Sequence, residues 1–277
     1  KYDRGDSWKW VGALAEIGGT DALVRTYVKW SNAVSSVETL AGSLSRGCHL
    51  AQTVPKGPVF LCIPWEFLFI EQPEGKIRSV PATLPNTVPD PSLLKEAAKL
   101  LMKSKEPIIL TEHAGEDPEA VKKLVELAEL LSIPVFECIY PRFANFPRDH
   151  YLHMGYDASE ALKQSDAIFV AGGTTPWQPP SAFPRNQAKV VLLDEDPLKE
   201  RLPYWGYHVD LWINGHIGSS LASLVDIVRT SMKRPDPHHR ERLSRWKLKH
   251  EELKKKWEQE ALAGKASKPI SIKWFLY

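Results

Sequence analysis

Residues 167–180 read AIFVAGGTTPWQPP. Ala167–Ala171 is an apolar run without polar alternation, the pattern of a strand buried on both faces in a helix-covered parallel sheet. The run passes straight into Gly172-Gly173-Thr174-Thr175, and Pro176 stops a helix from starting at once. Glycine lets backbone approach a phosphate or a ring closely, and the threonines add hydroxyls. The glycine pair does not belong to a G-x-G-x-x-G pattern. Two readings stay open here: a ligand-binding strand end, or a plain tight turn.

Helices and strands alternate on either side. Ser92 is read as the cap of a helix with Leu93, Leu94, Ala97, Leu100 and Leu101 on its apolar face. Pro107–Leu110 is a strand. Asp117-Pro118 opens a second helix, with Asp as cap and Pro at its first position, running through Val121, Leu124, Leu127 and Leu131. Pro134–Cys138 is a strand, Ala158–Gln164 a short helix, Val190–Leu193 and His208–Ile213 further strands, and Ile217–Arg229 a closing helix. Such alternation predicts the α/β class: a Rossmann-like parallel sheet with helices on both faces, assigned to residues 92–232 as a central domain. Residues 233–268 are read as a charged helical linker. Its stripe of Leu243, Trp246, His250, Leu253 and Trp257 is expected to dock on the protein's own surface. Glu241, Glu251, Glu252 and Glu258 interrupt its basic face, which argues against a nucleic-acid arm.

Upstream, residues 55–68 read PKGPVFLCIPWEFL. Val59–Ile63 is a second run expected to be buried on both faces, and Pro64 ends it because proline cannot donate to a ladder. Glu66, two residues past that stop, reads either as a carboxylate at a ligand-binding strand end or as the start of a solvated turn. Val37, Leu40, Leu44, Cys48 and Ala51 recur at helical spacing and predict a helix over 37–53 packed on this strand. One helix and one strand cannot make a core. Residues 1–70 therefore read as the C-terminal part of a second α/β domain, preceding the central one. Between the two, EQPEGKIRSVPATLPNTVPDP (71–91) carries Pro73, Pro81, Pro85, Pro89 and Pro91 without hydrophobic periodicity and predicts an extended connector.

The 277 residues are 43% hydrophobic and 25% charged with a net charge of +2, values of a globular protein that demand neither nucleic acid nor an anionic membrane as partner. Cys48, Cys62 and Cys138 are far apart, which reads as reduced thiols in a cytoplasmic setting. No apolar stretch nears the roughly 20 residues needed to span a bilayer, and KYDRGDSWKW is neither a signal nor a transit peptide. In VVLLDEDP, Asp194 and Asp196 end another buried strand. There an acid can receive a ribose hydroxyl or close an Asx turn before Pro197, and both readings stand. His150 and His153 lack the further ligands a metal needs and read as satisfied loop histidines, as do His238 and His239. Gly115, in TEHAGED, sits in another strand-end loop.

In order, VRTYVKW, PKGPVFLCIPWEFL, the Pro-rich connector, LLSIPVFECIYPRFANFPRDHYLHMGYDASEALKQSDAIFVAGG and VVLLDEDP resemble the acetolactate-synthase-like enzymes that depend on thiamine diphosphate. Members decarboxylate 2-oxo acids or join them to acceptors. The resemblance covers nearly the whole chain. It implies that residues 1–70 end a pyrimidine-binding domain, that 92–232 are its central neighbour, and that 269–277 begin a pyrophosphate-binding domain. By the same resemblance the catalytic glutamate lies before residue 1 and the motif for diphosphate and Mg²⁺ after Tyr277. The chain is then an inactive fragment, without catalytic or metal residues, of a homodimeric or homotetrameric enzyme for a small 2-oxo acid. Gly5-Asp6-Ser7 with Asn32 mimics the metal motif in spacing only, since no buried strand delivers it. Some relatives bind FAD on the central domain, others an adenine nucleotide such as ADP, others nothing. The flavin binders use loops matching Met154-Gly155, Gly172-Gly173-Thr174 and Asp194–Asp196. They usually place an Arg after the glycine, where this chain has Thr174-Thr175-Pro176-Trp177. The alternative is a free-standing FAD- or ADP-binding or structural module without catalysis.

Overall fold

The computed structural model describes residues 20–71, 85–138, 140–203, 205–232 and 237–276. Gly5-Asp6-Ser7, and Pro73 and Pro81 of the connector, lie outside them. The chain divides into two compact units, Lys1–Pro85 and Asn86–Tyr277. No helix among the described residues is long and apolar enough to cross a membrane.

In the first unit, helix α1 (Thr20–Val24) precedes strand β1 (Trp30–Ala33), helix α2 (Val37–Gln52) and strand β2 (Val59–Cys62). β1 and β2 pair in parallel, Trp30 opposite Val59 and Ala33 opposite Cys62. Ser36 caps α2 by accepting from the Thr39 N–H at 3.3 Å. Gly47 lets α2 lie close on the sheet: a Cβ there would stand 3.5 Å from both Leu61 and Trp30. β2 is half-buried along its length rather than buried on both faces, because two strands with α1 and α2 cannot enclose it. Past Pro64 the chain makes a single 3₁₀ turn, Trp65–Phe69, with Glu66 exposed.

The second unit runs α3 (Pro91–Lys103), β3 (Pro107–Thr111), α4 (Pro118–Leu131), β4 (Val135–Glu137), α5 (Ser159–Gln164), β5 (Ala167–Ala171), β6 (Lys189–Asp194), β7 (Leu211–Asn214), α6 (Ile217–Ser231), α7 (Pro237–Ala263) and α8 (Ile272–Phe275). The five strands form one parallel sheet in the order β4-β3-β5-β6-β7. The chain steps outward from β3 to β4 and then back past β3 to β5. Right-handed crossovers in opposite directions place α4 and α5 on opposite faces, and α6 packs beside α3 and α4. Ile108–Leu110, Ile168–Val170 and Val191–Leu193 are essentially solvent-free and form the centre of the core, each large side chain contributing about 1.5–3 kcal/mol of burial.

The helix starts follow local chemistry. Asp117 caps α4 as its sequence requires, accepting from the Glu119 N–H at 2.9 Å. The cap of α3 is Asp90 and not Ser92: Pro91 already occupies the first helical position, and Ser92 instead donates both its N–H (2.8 Å) and its hydroxyl (2.7 Å) to Asp90.

Residues 152–155 line the outer edge of β4, with Val135 donating to the Leu152 carbonyl and Met154 to the Val135 carbonyl, both at 2.8 Å. α7, the helix read as a charged linker, is docked within this same unit. Trp246 meets the edge of the Phe136 ring at 6.1 Å between centroids, and the His250 ring Nδ1 bonds the His153 carbonyl at 2.8 Å. Arg242 is 3% exposed. Its guanidinium donates to the carbonyls of Ser132 and Lys105, each at 2.9 Å, and to that of Leu131. Those carbonyls terminate α4 and follow α3, where the helix dipole favours a cation. Arg242→Ala leaves buried acceptors unmet and should cost about 3 kcal/mol in urea denaturation. Arg242→Lys should recover only part, since an ammonium cannot fork across separate carbonyls.

Candidate functional site

In an open parallel sheet, ligands bind beyond the carboxyl ends of the strands, where the strand order reverses. Here that place is the gap between the ends of β3 and β5. Glu112 and His113 emerge from β3, and Gly172–Thr175 from β5. The Glu112 and His113 N–H groups both donate to the Gly172 carbonyl, at 2.8 and 3.2 Å.

Two buried carboxylates organise this edge. Glu112 is 5% exposed. Its Oε2 accepts from the N–H groups of Thr174 (2.5 Å) and Thr175 (3.0 Å), and its Oε1 faces Arg142 Nε at 3.2 Å. Arg142 Nη2 also donates to the Thr174 hydroxyl at 2.9 Å, while the Thr174 carbonyl accepts from Trp205 Nε1 at 2.7 Å. Asp194, at the end of β6, is 1% exposed. Its Oδ2 meets Lys199 Nζ at 2.8 Å, His113 Nε2 at 3.3 Å and the Gly173 N–H at 3.1 Å. Its Oδ1 accepts from the Asp196 N–H at 2.8 Å. Burial by itself would raise the Asp194 carboxyl, but the His113 bond and the Lys199 charge outweigh it and hold the group below the ordinary carboxylate range.

The structure brings Gly172, Gly173, Thr174, Asp194 and Asp196 together at this edge. Their polar groups are met by side chains and backbone of the same edge: Gly173 and Asp196 donate to Asp194, and Thr174 to Glu112. The Asp194–Asp196 bond is the Asx turn, closed before Pro197. Gly172 has φ +65, and a Cβ on it would stand 2.7 Å from Ile217 Cδ1 and 3.0 Å from His113 Cδ2. A Cβ on Gly173 would meet Val170 Cγ1 at 2.7 Å. Neither position has room for a side chain. His113 points Nε2 at Asp194, and its Nδ1 is buried without a partner among the described residues.

Met154 and Gly155 belong elsewhere, on the outer edge of β4. Gly155 has φ +75, and a Cβ there would stand 3.0 Å from Trp257 and 3.5 Å from Leu253, both on α7. Its glycine serves helix packing. Nearby, Glu137, Asn145 and His153 form a second buried network: His153 Nε2 lies 3.1 Å from Glu137 Oε1, and Asn145 Nδ2 donates to Glu137 Oε2 at 3.0 Å. Burial would raise the Glu137 carboxyl, yet these two partners lower it. The Asn145 amide oxygen receives the Gly115 N–H at 2.9 Å, so Gly115 closes a turn. His150 lies 3.2 Å from Glu129, and neither it nor His153 has metal-site company. Among the described residues no group of three or more His, Cys, Asp or Glu side chains could hold a metal ion. Cys138 is buried and its thiol is pushed up by desolvation, then by Glu112 and Glu137. Cys62 is half-buried and Cys48 exposed.

Residues 94–224 match the family described as thiamine pyrophosphate enzyme, central domain. This part of the chain is similar to the central domain of thiamine pyrophosphate enzymes. An acetolactate synthase of Mycobacterium bovis is 28% identical over 81% of this chain and 39% of its own length. A benzoylformate decarboxylase of Pseudomonas aeruginosa is 27% identical over 80% of this chain and 44% of its own. The thiamine diphosphate-dependent 4-hydroxybenzoylformate decarboxylase of Rhodococcus jostii RHA1 superposes with a TM-score of 0.65 at 22% identity, over 78% of this chain and 42% of that one, a likeness of fold. The chain thus spans about two-fifths of the length of the curated relatives named here.

Asp194→Asn strands the Lys199 ammonium, 8% exposed at its side chain, beside a neutral amide. At pH 7 the substitution should cost about 3 kcal/mol in denaturant unfolding. The folded Asp194 group titrates below its unfolded value of about 3.9. Its stabilisation is therefore full above that value and is lost as pH falls through the depressed folded one. The gap between wild type and variant should close on the same descent.

Proposed function

We propose that the chain is part of a thiamine-diphosphate-dependent enzyme that acts on a small 2-oxo acid, as a decarboxylase (a lyase) or a carboligase (a transferase). The observation that carries this reading is the match of residues 94–224 to the central domain, joined to similarity over four-fifths of the chain with an acetolactate synthase and a benzoylformate decarboxylase. In this reading residues 1–70 end a pyrimidine-binding domain, 71–91 connect it to the central domain at 92–232, and 233–268 lead to a pyrophosphate-binding domain beginning at 269–277. The enzyme works in the cytoplasm as a homodimer or homotetramer.

The addition to the 2-oxo carbon and the release of carbon dioxide belong to the cofactor. The described residues do not fit it. Asn32, the one described member of the Gly5-Asp6-Ser7 and Asn32 set, lies within β1 opposite Leu61, and Mg²⁺ beside a diphosphate requires a cage of oxygen ligands. Thiamine diphosphate and Mg²⁺ are assigned to segments beyond this chain. The central domain's own work is structural: it carries the chain from one cofactor-binding domain to the next.

Titrating thiamine diphosphate with Mg²⁺ into the isolated chain should give no binding heat, whereas the full-length polypeptide of the same gene should bind both and release carbon dioxide from pyruvate or benzoylformate. Binding by the chain unaided would overturn the assignment of the sites. A full-length protein inert toward 2-oxo acids would overturn the activity.

A further inference from the structure

We propose that Glu112 is a built-in ligand: its carboxylate fills the anion seat of the 172–175 loop, so that the domain takes no FAD or ADP diphosphate there while this side chain is in place. A diphosphate at a strand-end glycine loop is held by successive backbone N–H groups and a nearby cation. All of these are present, and all are engaged. The Gly173 N–H points at Asp194 (3.1 Å), and those of Thr174 (2.5 Å) and Thr175 (3.0 Å) at Glu112. Of the two cations beside the loop, Arg142 lies on Glu112 at 3.2 Å and on the Thr174 hydroxyl at 2.9 Å, and Lys199 lies on Asp194 at 2.8 Å.

The surroundings reinforce this. A phosphate brought to the loop would have to displace two buried carboxylates already paired with cations, Glu112 with Arg142 and Asp194 with Lys199. The next anion seat along the edge, the start of α6, has its own acid too. Glu195 Oε1 lies 3.4 Å from the Ile217 N and 3.7 Å from His216 Nε2, and Asp117 Oδ2 lies 3.9 Å from the same ring nitrogen. A Cβ on Gly172 would collide with Ile217 and His113, and one on Gly173 with Val170, so the loop's own packing keeps both positions glycine. The loop has the donors of a nucleotide site and an internal carboxylate in place of the nucleotide.

It follows that removing the carboxylate should uncover the site. In Glu112→Ala the Thr174 and Thr175 N–H groups and the Arg142 guanidinium lose their acceptor together, leaving a seat the size of one phosphoryl group. Two measurements test this on the whole chain. Equilibrium dialysis of wild type against labelled ADP, and against FAD, should show no retention. Inorganic phosphate, compared with chloride at equal ionic strength, should raise the melting temperature of Glu112→Ala by about 3 °C at tenfold excess over its dissociation constant. It should not move wild type, nor the double variant that also carries Arg142→Ala. Retention of ADP or FAD by wild type overturns the proposal, whether or not the variant folds. So does a folded Glu112→Ala chain that phosphate leaves unmoved.

Discussion

A parallel sheet covered on both faces has no wet side on which its strand ends can surrender their polar groups to water. Every N–H and C=O at the two edges must be met by something the chain provides. The second unit meets this demand with buried charges. At the amino edge, Asp166 accepts from the Lys105 and Glu106 N–H groups at 2.8 and 2.9 Å, and Arg242 donates to the carbonyls of Lys105 and Ser132. The turn that leads into β3 is gripped from both sides, its donors by an acid and its acceptors by a base. At the carboxyl edge Asp194 and Glu112 do the same for the loop after β5, with Lys199 and Arg142 balancing their charge.

This solution has a bearing on chemistry. The strand-end edge of a doubly wound sheet is where such folds ordinarily meet ligands, because unmatched donors collect there. Once the fold's own side chains satisfy those donors, the same edge becomes a stable surface.

The parts of this architecture that depend on neighbours in sequence were legible beforehand. β5 declares itself by an unbroken apolar run, and α4 by Asp117-Pro118 and its leucine spacing. β1 was not legible, since Ser31 and Asn32 break the apolar run and only the partner strand, 29 positions on in register, draws Trp30–Ala33 into a ladder. The candidate site divides the same way. Gly172, Gly173, Thr174, Asp194 and Asp196 stand out because they follow apolar strands. Glu112, His113 and Arg142 acquire their roles only when β3 comes into the sheet with β5 and β6, through contacts such as that of Glu112 with Thr174, more than 60 residues apart, that no local pattern announces. A faint signal existed: Glu112 is the first acid after an apolar strand. Gly155 shows the converse, where a glycine in a recognisable stretch is explained by Trp257, about a hundred residues away.

α7 acts as a measuring rod as well as a cover. Arg242 grips the amino edge of the sheet, and Trp257 lies over Gly155, whose carbonyl bonds the Glu137 N–H at the far end of β4. The 15 positions between the two anchors span about 22 Å of helix axis. Adding or removing one residue between them would turn everything beyond by about 100° and shift it by about 1.5 Å, so both anchors could not be kept. The wet face of this helix is free to vary in composition, but the count of residues between Arg242 and Trp257 is held fixed by the sheet it crosses. Whatever follows Ala263 accordingly starts at a set height and heading relative to the strand ends.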